Sequence, residues 1–206
     1  MYHSDKAIII SRRNFREDDL LVSCYTQKYG KIILQAKGAR KIKSKLNGHV
    51  DIFNLVDLNW VAGKGGNKLI GASIEKSFRG IKENYKKVNY GLYFVNLIDK
   101  LTQQHQRDKK IFDFLNKVLL KLEQCEEKDL VLVKLSFDYK LLFLLGYNPT
   151  HRRELKRDEK NTIEGIVNLS IEEIKKSNLN RQVLNNLYKK SKMFLEEVLE
   201  KEVFKI

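Results

Sequence analysis

Residues 37–45 read Lys-Gly-Ala-Arg-Lys-Ile-Lys-Ser-Lys, five positive charges in nine positions with no acid among them. Lys37, Arg40, Lys41, Lys43 and Lys45 are suited to neutralise phosphates and release their condensed counterions. Gly38 and Ala39 let this backbone come close to another chain, and Ser44 adds a hydrogen-bond donor. Arg12, Arg13, Lys31 and Lys37 extend the patch, and Tyr25 offers an aromatic platform. Cations interleaved with an aromatic ring are how sequence-tolerant single-strand binders hold phosphates and bases. Two plainer readings stand beside this one. The stretch also reads as a solvated loop whose lysines maintain solubility, and Tyr25 as a barrel residue packed by a helical domain.

Residues suited to catalysis do not assemble into a recognisable pattern. Gly63-Lys64-Gly65-Gly66 runs into Asn67-Lys68-Leu69 rather than into Gly-Lys-Ser/Thr, so no phosphate loop is encoded. His3, His49, His105 and His151 are scattered, none with a Cys or His at ligand spacing, and no Gly-x-Ser-x-Gly occurs. Glu17-Asp18-Asp19 is the one acidic cluster with the charge for a divalent ion, but acids in a turn usually bond backbone nearby. Cys24 and Cys125, about a hundred residues apart, exclude a disulfide framework and a four-cysteine zinc site. The expectation is a binding protein with no catalytic residues, no metal site and no cofactor.

The charge balance agrees. The 206 residues carry 40 Lys+Arg against 26 Asp+Glu, a formal charge of +14. Such a surface repels itself unless a polyanion neutralises it. Nucleic acid is the leading partner and an anionic membrane surface the second. A lysine-rich proteome is the plain alternative, since 30 of the 40 basic residues are Lys. No run of about eighteen uncharged apolar residues exists; the richest stretch, Leu130 to Leu145, is broken by Lys134, Asp138 and Lys140. The N-terminus has no small-residue cleavage site, so a signal peptide is not expected. These bounds predict a soluble, basic, intracellular chain with no membrane partner.

The elements that must position these residues change character near residue 80. Before it, five strand-like runs are Ala7 to Arg12, Leu20 to Gln27, Lys31 to Lys37, Ile52 to Ala62 and Lys68 to Glu75. Gly63 to Asn67 reads as a hairpin turn, and the longer gap between the third and fourth runs suits a five-stranded OB-type barrel. Period-two alternation places Leu20, Val22 and Cys24 on one face, with Ile32, Leu34, Ala36, Val56, Leu58 and Trp60 in the equivalent positions. Cys24 is then an inert core thiol.

From about Glu83 the spacing is helical: Val88, Leu92, Val95 and Ile98 share a face. Asp108 caps a second helix, and a third, about Asp129 to Leu145, is apolar almost all round and stopped by Gly146 and Pro149. Ser170-Ile171-Glu172-Glu173 is a capping box, and a last helix runs from Gln182 to about Val203. His151 to Asn168 is polar and lacks periodicity. The predicted class is α+β: an OB-fold domain over 1–80 followed by an all-helical C-terminal domain over 81–206.

Arg16-Glu17-Asp18-Asp19-Leu20-Leu21-Val22, Thr26, Gly30-Lys31 and Ala36-Lys37-Gly38-Ala39-Arg40-Lys41 with Lys43-Ser44-Lys45 together resemble the N-terminal signature of the RecO family, bacterial recombination mediators. Leu144-Leu145-Gly146-Tyr147-Asn148-Pro149 resembles that family's Leu-Gly-Tyr-x-Pro. The resemblance implies an OB-fold and a helical domain that bind single- and double-stranded DNA and anneal complementary strands. It also implies work with a RecR-like protein to load RecA on DNA coated by single-stranded-DNA-binding protein, whose acidic tail is a further expected partner. No catalytic residues are known for the family. Many relatives carry a four-cysteine zinc site after the Leu-Gly-Tyr-x-Pro segment. Here Thr150 to Arg157 has no cysteine, so the metal is expected to be absent. Arg152 and Arg153 in that segment read either as a second phosphate contact or as part of a mobile loop.

The expected mechanism is electrostatic: cations on the barrel neutralise two strands at once and let their bases pair. Two alternatives stay open, an RNA-binding OB protein and a basic structural adaptor for acidic protein partners. The expected location is cytoplasmic and nucleoid-associated.

Overall fold

Alternating apolar side chains form five strands in the computed structural model, which describes residues 1–168, 170, 172–173 and 179–199. They are β1 (Tyr2–Phe15), β2 (Asp19–Thr26), β3 (Gly30–Ala36), β4 (Leu55–Gly63) and β5 (Gly66–Lys76). The strands close into a barrel in the order β1-β2-β3-β5-β4. Every pairing is antiparallel except the short parallel seam between β3 and β5. A short helix, α1 (Leu46–His49), lies between β3 and β4, and the whole is the OB-type barrel expected. The residues assigned to the inner face by period two all reach the barrel core. Burying each of the larger ones contributes about 1.5–3 kcal/mol. Cys24 is among them, and burial pushes its thiol well up from the ordinary range.

β1 is longer than the sequence suggests. Its first half pairs with β4 and its second half with β2, and a bulge between Ile9 and Ser11 bends it between the two. Isoleucines at 8 and 10, which alternate with the core residues Ala7 and Ile9, are also fully buried. The outer face of the barrel must therefore be covered too.

Helices supply that cover. α2 (Arg79–Lys82), α3 (Tyr85–Leu101) and α4 (Lys109–Gln124) follow the last strand. Asn84 Oδ1 accepts from the Lys86 and Lys87 amides at the start of α3, and Asp108 Oδ1 accepts from the Lys110 amide at the start of α4, as its capping role requires. On the barrel side, Ser23 Oγ donates to Asp99 Oδ1 at 3.1 Å and the His105 amide donates to the Lys31 carbonyl at 2.9 Å. The compact units are Met1–Glu123 and Gln124–Ile206, which differs from the division at residue 80 read from the sequence. The change of period marks where strands give way to helices, while the first helices remain part of the barrel's unit.

In the second unit α5 (Leu130–Leu144) is buried on nearly every side. Gly146, at φ +88°, ends it, and Pro149 opens a short 3₁₀ turn. The aperiodic reading of His151 to Asn168 is corrected: Arg157–Asn168 is a helix, α6. Its buried face is Glu159, Ile163 and Ile166. The charged residue at a core position hid the period, and it is tolerated because Lys190 Nζ lies 2.6 Å from its carboxylate. The capping box is formed, the Ser170 amide donating to Glu173 Oε2 and the Glu173 amide to Ser170 Oγ. Residues 174–178 of the helix it was read to open lie outside the described residues. The last helix, α7 (Arg181–Leu199), buries Leu187, Ser191, Phe194 and Leu195; the reading to Val203 also extends beyond the described residues.

Candidate nucleic-acid interface

Strand register gathers the basic residues at one end of the barrel. Arg12, Arg13 and Asn14 lie opposite Val22, Leu21 and Leu20, and Leu20 and Leu21 lie opposite Ala36 and Gln35. The chain leaving β3 into the basic loop therefore starts two strands from Arg13 and Asn14. β4 accompanies β1 only as far as Ile8, so the distal half of β1 lacks a strand partner on that side. An open cleft of about 420 Å³ results, lined by Arg12, Arg13, Asn14, Leu20, Arg40 and Asn47. Three of its six lining residues are arginines and none is an acid. Guanidinium forks match phosphate oxygens in pairs, which point charges on lysine cannot do.

The acidic turn before β2 holds the basic loop in place. Asp19 Oδ1 accepts from the Gly38 amide at 2.8 Å and Oδ2 from Gln35 Nε2 at 2.6 Å. These bonds, the Gly38 amide foremost, hold the Asp19 carboxyl below the ordinary aspartate range. The Arg40 amide donates to the Asp18 carbonyl, and Arg40 Nη1 to the Glu17 carbonyl at 2.8 Å. Ala39 is buried in the barrel core between them. The cluster Glu17-Asp18-Asp19 thus sits in a turn as expected, but its polar groups reach across to the neighbouring loop.

Arg13, Lys37, Lys43 and Lys45 are exposed and form no ion pair among the described residues. Lys41 shares its charge with Asp18 at 3.7 Å while its side chain remains 66% exposed. Arg12 Nη1 lies 3.3 Å from Asn47 Oδ1 and Nη2 lies 3.4 Å from Asp51.

Two expected contacts are corrected. Tyr25 is 1% exposed, and its hydroxyl donates to the Asp108 carbonyl at 3.4 Å; burial pushes its pKa well above the ordinary phenol range. A ring packed beneath helices cannot stack on a base. Lys31 Nζ donates to the Asp99 carbonyl and lies 3.4 Å from the Asp99 carboxylate, with its side chain 12% exposed. Its charge is spent inside the unit.

Arg152 and Arg153 lie in the second compact unit. Arg152 Nη2 is 2.7 Å from Glu197, and its guanidinium lies over the Phe194 ring at 4.9 Å; Arg153 is exposed. Leu155 is buried, so the segment is packed in place, not a free loop.

Sequence reading missed Asn14, Asn47 and Asp51. Asn47 and Asp51 reach Arg12 only through the fold, about 35 residues along the chain, and no local spacing signals that. Among the described residues no three His, Cys, Asp or Glu side chains cluster to hold a metal ion. No described helix is long and apolar enough to cross a membrane.

Comparison with known proteins bears on this geometry. Residues 1–78 match the family model described as Recombination protein O N terminal, and residues 82–163 match Recombination protein O C terminal. Proteins named DNA repair protein RecO are similar along the same region. The one from Halalkalibacterium halodurans is 28% identical over 149 residues, covering 72% of this chain and 58% of that protein. The one from Clostridium novyi is 32% identical over 143 residues, covering 69% and 55%. That of Listeria welshimeri is 28% identical over 145 residues, covering 70% and 56%. The chain therefore spans little more than half the length of these curated relatives. Two family models matching in order along one chain, and relatives that agree with both, establish that this chain belongs to the RecO family of DNA repair proteins.

Proposed function

We propose that this chain is a non-enzymatic DNA-binding mediator that holds single strands, and duplex ends, on the basic end of its barrel and anneals complementary strands. With a RecR-like partner it helps to load RecA on DNA coated by single-stranded-DNA-binding protein, whose acidic tail would meet the helical region 81–206. Such a protein works in the cytoplasm, on the nucleoid. The observation that carries the reading is the cleft faced by Arg12, Arg13 and Arg40 beside a clamped lysine loop. Its cations address phosphates, which are the same for every sequence, so binding is sequence-tolerant. Neutralising phosphates of two strands at once lowers their mutual repulsion and leaves pairing to the bases.

Fluorescence anisotropy with unrelated oligonucleotides tests this. Arg13, Lys37, Arg40, Lys43 and Lys45 form no ion pair among the described residues. If these five neutralise phosphates, log K against log salt slopes at about −3.5 for a single strand, at about −0.7 per phosphate. Replacing Lys37, Arg40, Lys41, Lys43 and Lys45 with Ala flattens the slope and abolishes annealing, while the circular dichroism spectrum stays that of the parent. A flat salt response in the parent would assign the basic face to an acidic protein instead. Matched RNA strands that outcompete DNA would assign it to RNA.

A further inference from the structure

The tip of the basic loop carries a side chain that the fold does not use. Ile42 is fully exposed, at 104% of its reference area. The Ser44 amide donates to the Lys41 carbonyl at 2.8 Å, closing a turn whose two central residues are Ile42 and Lys43. Turns favour Gly, Pro, Asn, Asp and Ser, each for a conformational reason that a β-branched side chain lacks. Ile42 therefore gains neither burial nor turn geometry where it stands. Its support is nonetheless firm. Ala39 is buried in the barrel core, the Gly38 and Arg40 amides are held by Asp19 and Asp18, and the Lys41 amide donates to the Gly38 carbonyl at 3.1 Å. An apolar side chain is thus presented outward from an anchored loop, with Lys41 and Lys43 on either side and the arginine cleft on the same loop's flank.

We propose that Ile42 is a wedge that inserts between neighbouring bases of a nucleic-acid strand whose phosphates the flanking cations hold. The proposal rests on the DNA-binding reading given above and adds to it a contact to the bases themselves. Base faces are apolar and identical in this respect for every sequence, so a wedge contributes affinity without selecting a site. Apolar side chains such as Ile, Leu, Phe and Met open base steps in this way when cations grip the backbone around them. A strand held with one step prised apart presents unstacked bases, the form in which a complementary strand can begin to pair.

The test uses the full chain and a single-stranded oligonucleotide carrying 2-aminopurine, whose fluorescence rises when it is unstacked. Anisotropy and 2-aminopurine emission are read together for the parent, Ile42→Ala and Ile42→Met. Binding by the parent is expected to brighten the probe. Ile42→Ala is expected to abolish most of that brightening and to weaken binding about fivefold, the equivalent of roughly 1 kcal/mol. Its salt slope should equal the parent's, because no charge is lost. Ile42→Met should keep both signals. If Ile42→Ala binds and brightens the probe as the parent does, the wedge is refuted while DNA binding stands. If the parent binds no strand, both readings fall together. Vesicles of phosphatidylcholine and phosphatidylglycerol serve as the second arm. Vesicle binding that depends on Ile42, with no brightening on DNA, would assign the tip to a lipid surface and overturn the proposal.

Discussion

Lys134 and Asp138 form an ion pair one helical turn apart on α5, and neither has meaningful access to water. Nζ lies 2.6 Å from Asp138 Oδ2, with the side chains 4% and 0% exposed. Ser191 Oγ on α7 donates to the same carboxylate oxygen at 2.8 Å, and the Lys134 ammonium lies 4.5 Å from the Tyr188 ring centre. The perturbation is Lys134→Met, which keeps the volume of the stem and deletes the charge. Removing one partner of a buried pair costs about 3–5 kcal/mol. For a unit the size of Gln124–Ile206, each kcal/mol moves the melting point by about 4–8 °C, so a fall of at least about 12 °C is expected. The double variant Lys134→Met with Asp138→Leu should recover to within about 1 kcal/mol of the parent or exceed it, since well-packed apolar replacements of buried pairs are often neutral or stabilising. Urea unfolding of the full chain, followed by circular dichroism, measures both. A loss under about 1 kcal/mol for Lys134→Met, or a double variant no more stable than the single, would refute the reasoning.

Further outcomes are expected for four other variants. Lys190→Met should lower stability by about 2 kcal/mol by unpairing Glu159, less than the α5 pair because Lys190 is 23% exposed. Burial alone would raise the Glu159 carboxyl, but the bonds from Lys190 and the Lys156 amide outweigh it and hold it below the ordinary glutamate range. That stabilisation is present in full above the ordinary range and is lost as pH falls through the lowered value; a pH series of denaturant unfolding should show the loss in the parent and its absence in Lys190→Met. Gly30→Ala should be destabilising by about 2 kcal/mol or more, since Gly30 sits at φ +66° and an added Cβ would meet the Gln106 carbonyl oxygen at 2.0 Å. Gly65→Ala, which meets nothing within 4 Å, should stay within about 0.5 kcal/mol of the parent by the same unfolding assay. Asp19→Asn should speed hydrogen exchange at the Gly38 amide while leaving the Val22 and Leu34 amides of the barrel protected, as read by amide exchange.

Barrel and helices were legible because period two and period 3.6 are written in the apolar residues themselves. Ile32, Leu34 and Ala36 needed no tertiary information to be assigned inward. Tyr25 shows where that logic stops. Alternation places it on the outer face of β2, and only the helices laid over that face decide that it is buried. Lys31 was lost in the same way, to a carbonyl on a helix far along the chain. α6 escaped notice because Glu159 stands where an apolar residue completes the pattern, and its partner Lys190 is 31 residues distant. In the cleft, Arg12, Arg13 and Arg40 were read from charge alone. That they converge follows from strand register and from where β4 stops, neither of which a list of cations contains.

Phe53 stands at φ +74° with its amide donating to the Ile9 carbonyl, and its ring rests against Gly91, where even a methyl group would collide with it. Phe53, which follows the segment bearing Asn47 and Asp51, is therefore braced by a helix that emerges later in synthesis. A fragment cut after the last strand would carry every cation of the interface yet leave Phe53, Ile8 and Tyr25 facing water. During translation the barrel can collect its strands early, but the segment bearing Asn47 and Asp51 gains its final brace only once α3 has left the ribosome. The smallest piece of this chain fit for binding studies accordingly ends near Glu123 and not at the end of the sheet.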